Sequence, residues 1–211
     1  IVCFNLSWQS GGPRLVFSFA QSLKSKGHEI VIYTPEFTGE YFKELWEGLE
    51  IRIVPTPKEI LWSEKPRGFI DWIKRKVARE KIQKEIAKSI AAAIDQNYDI
   101  LNVHDFAYPT AYYYKKKNPQ IKTIWTENDP PFSRLPKANF FANILSYFFN
   151  IWKEIESRKY FRAIDRAAVL DLYNQNWCQK RGIKTAITRL GVDPKFFLPV
   201  KNIEEKSKLK K

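Results

Sequence analysis

Short apolar runs recur along this chain with stretches of helical periodicity between them, and that alternation leaves few architectures open. The runs are Ile1 to Phe4, Glu29 to Tyr33, Ile51 to Val54, Ile100 to Val103, Ile121 to Trp125, Ala167 to Leu170 and Thr185 to Thr188. Each is four or five residues long and reads as apolar on both faces of a strand, as strands covered by helices on either side require. Strands separated by helices are what a parallel sheet with crossover connections requires. The expectation is an α/β fold with a doubly wound, mainly parallel sheet of about seven strands and helices on both faces. Its 211 residues suit one domain over 1–199. A lysine-rich linker or frayed tail over 200–211 follows, where apolar periodicity is lost.

Two predicted helices stand out. Between the third and fourth runs, Ile70, Ile73, Val77, Ile82, Ile86, Ile90 and Ile94 keep near-helical spacing and define one long amphipathic helix. Lys74, Arg75, Lys76, Arg79, Lys81, Lys84 and Lys88 make its outer face basic, which suits either a solvated face or contact with a polyanion. From Phe140 to Ile155, apolar residues including Phe148, Phe149 and Trp152 cover an arc of roughly 200° at about 100° per residue. So broad a stripe either packs between two neighbours or lays its surplus on a membrane interface, where aromatic rings and flanking cations are favoured. Phe148, Phe149, Trp152, Lys76 and Arg79 are the candidate membrane contacts.

Charge narrows the partners. Lys and Arg exceed Asp and Glu by enough to leave +13, which draws nucleotide phosphates, anionic headgroups or nucleic acid without choosing among them. Two cysteines, Cys3 and Cys178, are too few for a disulfide framework and point to a reducing, cytoplasmic compartment. No run of about 18 uncharged apolar residues suggests a membrane span, so any membrane association would be peripheral, on the cytoplasmic face. Methionine is absent; Ile1 is therefore not expected to be the translated start, and the beginning of the chain is expected to be missing.

Candidate chemistry collects where runs end, because ligands of open α/β sheets bind outside the carboxyl ends of the strands. After the first run come Gly11, Gly12, Pro13 and Arg14, then a helical pattern. Glycines let a ligand approach the backbone, and a helix amino terminus offers free N–H donors to an anion; a plain tight turn is the alternative. Gly27 has the position of a helix-terminating residue in the left-handed region. The fourth run ends in His104 and Asp105, which can bind sugar hydroxyls or exchange a proton, or else merely cap the sheet and start a helix. The fifth ends in Glu127, Asn128 and Asp129 before Pro130 and Pro131, a polar loop able to hold several hydroxyls or only to satisfy its own backbone. His28 and His104 fall at opposite ends of the expected sheet, so no metal-binding histidine cluster is expected.

With those pieces in order, the sequence resembles the amino-terminal, Rossmann-like domain of the retaining glycosyltransferase family 4, of GT-B fold, over nearly its whole length. The resemblance rests on Gly11-Gly12-Pro13-Arg14, on Lys26-Gly27-His28-Glu29-Ile30-Val31 and on Tyr98 through Asp105. It rests further on Ala163 through Val169 and on Arg189-Leu190-Gly191-Val192-Asp193-Pro194-Lys195-Phe196-Phe197. It departs where the family often has a histidine after the fifth strand, here Asn128, where many members have serine, here Asp171, and at Leu190 in place of asparagine.

The resemblance implies transfer of a sugar, with retention and without a metal, from a nucleotide-diphosphate donor of UDP or GDP type. The donor would be held mainly by a carboxyl-terminal domain absent from these residues, so this half alone is expected to be inactive. Asn128 and Asp105 are then the catalytic candidates. Gly11, Gly12, Arg14, His104, Glu127 and Asp129 would bind donor or acceptor. The acceptor would be a lipid-linked or membrane-proximal glycan. One rival is a non-catalytic basic module for nucleic acid or another polyanion; it is disfavoured because the aromatics follow helix and strand periodicity instead of lining one sheet face. A dinucleotide-dependent dehydrogenase lacks its G-x-G-x-x-G spacing and its acidic residue after the second run, where Tyr33, Thr34 and Pro35 stand.

Overall fold

A computed structural model describes residues 1–56, 69–128, 131 and 140–188. The elements run α1 (Gly11–Ser25), β1 (Val31–Thr34), α2 (Lys43–Trp46), β2 (Glu50–Ile53), α3 (Phe69–Ala93), β3 (Ile100–His104), a 3-10 turn (Asp105–Ala107) and α4 (Pro109–Lys115). They continue with β4 (Lys122–Glu127), α5 (Phe140–Phe161), β5 (Arg166–Val169), α6 (Leu172–Gln179) and β6 (Thr185–Ile187). Every strand pairing is parallel, in a two-stranded sheet β1-β2 and a four-stranded sheet β3-β4-β5-β6. The α/β class and the parallel pairing agree with the periodicity, but seven strands in one sheet do not: the described residues hold six strands in two sheets. The run Ile1 to Phe4 pairs only at Val2, which bridges Tyr33 on one side and Val103 on the other. Val2 N–H donates to Asn102 O at 2.8 Å and Cys3 N–H to Tyr33 O at 3.1 Å, while Val2 O accepts from His104 N–H at 2.9 Å. Beyond Phe4 the chain turns away, with Leu6 N–H donating to Glu36 O. The contact is too short to propagate a ladder, yet it joins the two sheets.

Alternation along this bridge divides the core. Val2, Phe4, Tyr33, Leu101, Val103, Trp125, Ala167 and Val169 share one buried cluster with Ile86 and Ile90 of α3, Ile94 just after it, and Ala111 and Tyr114 of α4. Cys3 and Ile32 point the other way, against Val16, Phe17 and Ala20 of α1. Successive strand residues face opposite sides, so a run apolar throughout serves both. The helix cover is nonetheless lopsided. On the α3 side Thr123, Trp125, Ala167 and Val169 are buried, whereas Ile124, Thr126 and Ala168 on the other are only half-buried and Lys122 and Arg166 are exposed. The expected helices on both faces hold around the bridge and β1; over β4–β6 no helix among the described residues lies on the second face.

Local signals were sound at the α1 terminus. Gly27 has φ +87°, its N–H donates to Lys24 O, and His28 N–H reaches back to Leu23 O, the 6→1 and 5→2 pair that satisfies the last carbonyls of a helix. Helix α3 spans 25 residues and α5 spans 22, against seven in α4, so α3 is about 37 Å long and α4 about 10 Å. Among the described side chains, the buried apolar ones of the long helices are Ile86, Ala87, Ile90 and Ala91 of α3, with Ile94 just beyond its end, and Tyr160 and Phe161 of α5. Helices that cross over between parallel strands run antiparallel to them.

Candidate functional site

Because all strands are parallel, the residues that follow them share one edge. Ser7 and the α1 amino terminus follow the Val2 bridge, Asp105 follows β3, Asn128 follows β4 and Asp171 follows β5. His104 ends β3 opposite Thr126 of β4. Side-chain hydrogen bonds tie these ends together. Asp105 accepts from the Asn128 backbone N–H and, through its other oxygen, from Asn128 Nδ2, each at 3.1 Å. Asn128 O accepts from Asn174 Nδ2 at 2.9 Å, and Asp171 caps α6 by accepting from Asn174 N–H at 2.8 Å. Asp105 sits at φ 45°, a left-handed conformation that Asp tolerates better than most residues but that still stores roughly 1–3 kcal/mol. Trp125 Nε1 donates to Asp105 O at 2.9 Å and helps to hold it there.

The same edge contains polar atoms that the fold does not use. Among the described residues, Ser7 Oγ, both ring nitrogens of His104 and Asn128 Oδ1 are buried without a hydrogen-bond partner. A buried polar atom left unpaired costs on the order of 1–3 kcal/mol, so four such atoms on three neighbouring strand ends form a costly arrangement. His104 is 2% exposed and lies 6.3 Å, ring to ring, from Phe19 of α1. Burial lowers its pKa from 6.5 to about 3, so at neutral pH the ring is uncharged, with one nitrogen donating and the other accepting. It can bind a hydroxyl in either sense but is a poor proton exchanger.

Gly11 and Gly12 open α1. A Cβ on either would meet nothing within 4 Å, and neither has a positive φ. Neither packing nor backbone conformation of the described chain demands glycine at these two positions. Arg14, half-buried, lies one turn along.

Other expected positions are redistributed. Glu127 shares the parity of Trp125 and turns inward: it is 0% exposed, and Cys178 Sγ donates to its Oε2 at 3.7 Å. Its carboxylate therefore lies beneath the edge, not on it, because a residue two positions beyond a core tryptophan inherits the core face. Asp129 lies outside the described residues, as do the Arg189–Phe197 motif and the 200–211 tail. Asp171, which sequence comparison treated as a departure, is the α6 N-cap, and Asn174 was not singled out at all. The only local sign of that pair was an Asp three residues before an Asn at a helix start.

The membrane candidates also divide. Phe148 is 61% and Trp152 46% exposed, beside exposed Tyr147, Ile151 and Ile155. Phe149 and Lys76 are instead half-buried in the seam between α3 and α5, with Lys76 Nζ 5.0 Å from the Phe149 ring centre. Burial, then the nearby Lys153, lowers the Lys76 pKa. Ion pairs Glu80–Lys153 and Lys84–Glu156 close the same seam, so part of the basic face of α3 meets α5 instead of solvent. Arg79 is half-buried. Among the described residues no helix is long and apolar enough to cross a membrane.

The family described as Glycosyltransferase Family 4 matches residues 9–196. No curated protein matches the chain.

Proposed function

Because the chain belongs to glycosyltransferase family 4, we propose that this domain is the acceptor-side half of a GT-B enzyme. That enzyme moves a sugar from a nucleotide-diphosphate donor to an acceptor with retention of anomeric configuration. The observation that carries this reading is the row of unpartnered polar atoms on Ser7, His104 and Asn128, beside a helix start whose glycines the protein's own packing does not require. Hydroxyl-rich ligands supply both donors and acceptors, which is what a neutral imidazole and a carbonyl oxygen need. Asn128 Nδ2 is committed to Asp105, which leaves Oδ1 to accept from a sugar hydroxyl. Asp105 acts by orienting Asn128 and by its negative charge at the edge. Gly11 and Gly12 let a diphosphate approach the free N–H groups of α1, with Arg14 adding charge.

The donor, a UDP- or GDP-sugar used without a metal, would be held chiefly by a second domain beyond these residues, whose cations stabilise the leaving diphosphate. A lipid-linked or membrane-proximal glycan is the proposed acceptor, with Phe148 and Trp152 against the cytoplasmic membrane face. The test is a screen of the full-length polypeptide with UDP- and GDP-sugars against lipid extracts, together with Gly12→Ala. Gly12→Ala should leave the thermal midpoint unchanged or slightly raised, since alanine is the better helix former, and should cut transfer at least tenfold. The 211-residue chain alone should transfer nothing. Full activity in Gly12→Ala would refute the ligand-approach role, and absence of transfer from every nucleotide sugar would refute the reaction.

A further inference from the structure

Three consecutive tyrosines of α4 divide between inside and outside. Tyr114 is buried and its hydroxyl donates to Asp95 O, whereas Tyr112 and Tyr113 are half-buried at the surface. There they meet Tyr160 in the last turn of α5. Ring centres lie 5.3 Å apart for Tyr112 and Tyr113, 5.4 Å for Tyr112 and Tyr160 and 6.0 Å for Tyr113 and Tyr160, so the three rings form one closed hub. Each ring carries a different lysine. Lys116 Nζ stands 4.6 Å from the centre of Tyr112, Lys88 Nζ 5.6 Å from Tyr113 and Lys159 Nζ 5.0 Å from Tyr160. These ammonium groups come from α3, from the residue after α4 and from α5, and all three lysines are exposed.

The negative face of a tyrosine ring attracts an ammonium group and fixes a side chain that would otherwise swing freely. Gathering three such groups around one hub opposes itself, because like charges repel. Attraction to helix carboxyl termini accounts for Lys116 and Lys159. It does not reach Lys88, five residues before the end of α3 at Ala93. Neighbouring carboxylates do not balance the charge either. Residues 81–93, 109–118 and 155–162 hold nine Lys or Arg and two acids, Glu85 and Glu156, and Glu156 is paired with Lys84. The tyrosines add a donor. The Tyr113 and Tyr160 hydroxyls are 3.3 Å apart, so one donates to the other and the accepting hydroxyl keeps its own hydrogen. Burial, then the bond to Tyr113, raises the Tyr160 pKa, so no phenolate competes for the cations.

We infer that Lys88, Lys116 and Lys159, gathered on the tyrosine hub, form a binding site for a compact, soluble polyphosphate anion. Lysine meets phosphate as a point charge, whereas carboxylate recognition favours the planar fork of arginine. The lysines sit where the bases of a polynucleotide would stack on the rings. A bilayer would need exposed apolar side chains among the cations; the nearest along α5 is Ile155, a turn before Lys159, and the hub itself has none. Lys116 and Lys159 stand shortly before β4 and β5, towards the amino ends of the strands and away from Asp105 and Asn128. The site is therefore independent of the transfer reaction.

The test titrates the 211-residue chain with sodium tripolyphosphate at neutral pH and fixed ionic strength, followed by isothermal titration calorimetry. Binding should saturate at one anion per chain. Lys88→Gln combined with Lys116→Gln and Lys159→Gln should weaken it roughly tenfold or more, with the circular dichroism spectrum unchanged. Lys26→Gln combined with Lys180→Gln and Lys184→Gln removes the same charge from exposed positions elsewhere, and should leave the affinity within about threefold because distant charges are screened. Absence of saturable binding, or equal losses in the two triple variants, would overturn the inference. So would a polyglutamate peptide, an oligonucleotide or phosphatidylglycerol vesicles that bind through Lys88, Lys116 and Lys159 more tightly than tripolyphosphate does.

Discussion

His104 shows how far burial can change one residue. Its ordinary pKa is 6.5 and its folded value about 3, so between those values the unfolded chain binds a proton that the folded protein refuses. Stability is therefore full above about pH 6.5 and falls as pH drops towards 3, by at most roughly 1.4 kcal/mol per pH unit. Urea unfolding between pH 4 and 7.5 should show this slope, and His104→Gln, which does not titrate, should flatten it. A slope that persists in the variant would assign the proton to another group. Asp105 and Asn128 make a different point. A left-handed Asp held by an asparagine from the next strand is strain maintained by tertiary contacts, and such strain collects where ligands are handled. Of the roles open to His104, burial disfavours proton exchange at neutral pH.

At the scale of elements, α3 and α5 meet both the core and each other. Their later turns pack on the sheet beneath Trp125, and their earlier turns meet each other through Lys76, Phe149, Glu80, Lys153, Lys84 and Glu156. The aromatic surplus of α5 thus remains on the outside, as its breadth allowed. Phe148→Ser with Trp152→Ser should change stability by no more than about 1 kcal/mol, as expected of exposed positions. The same pair should abolish salt-sensitive sedimentation with anionic vesicles. Phe161→Ala, which opens a cavity beside Trp125 and Trp177, should cost about 3–5 kcal/mol. Vesicle binding that survives the double substitution would remove the membrane from the proposal.

For the whole molecule, the thinnest structural element has the widest reach. Among the described residues Val2 alone pairs with both sheets, and it and Cys3 enter the two separate hydrophobic clusters. Val2→Pro removes the N–H that Asn102 O accepts and should lower stability by about 3 kcal/mol or more. Urea unfolding followed by both tryptophan fluorescence and circular dichroism should then show noncoincident transitions as the halves uncouple. An unchanged midpoint would mean the clusters hold the sheets together without the bridge.

Local periodicity was enough to specify the α/β class, six of the runs as strands, the long α3 and the Gly27 terminus, because each depends on residues close in sequence. A run such as Ala167 to Leu170, apolar at successive positions, has no phase, however, so it could not reveal that among the described residues helices cover it on one face only. Nor could it show that Glu127 inherits the core face while Asn128 takes the edge. Spacing along α3 and α5 likewise defined their stripes but not the seam that claims Lys76 and Phe149. Which neighbour covers a given face is settled by contacts between residues far apart in the chain, and only the tertiary structure contains those.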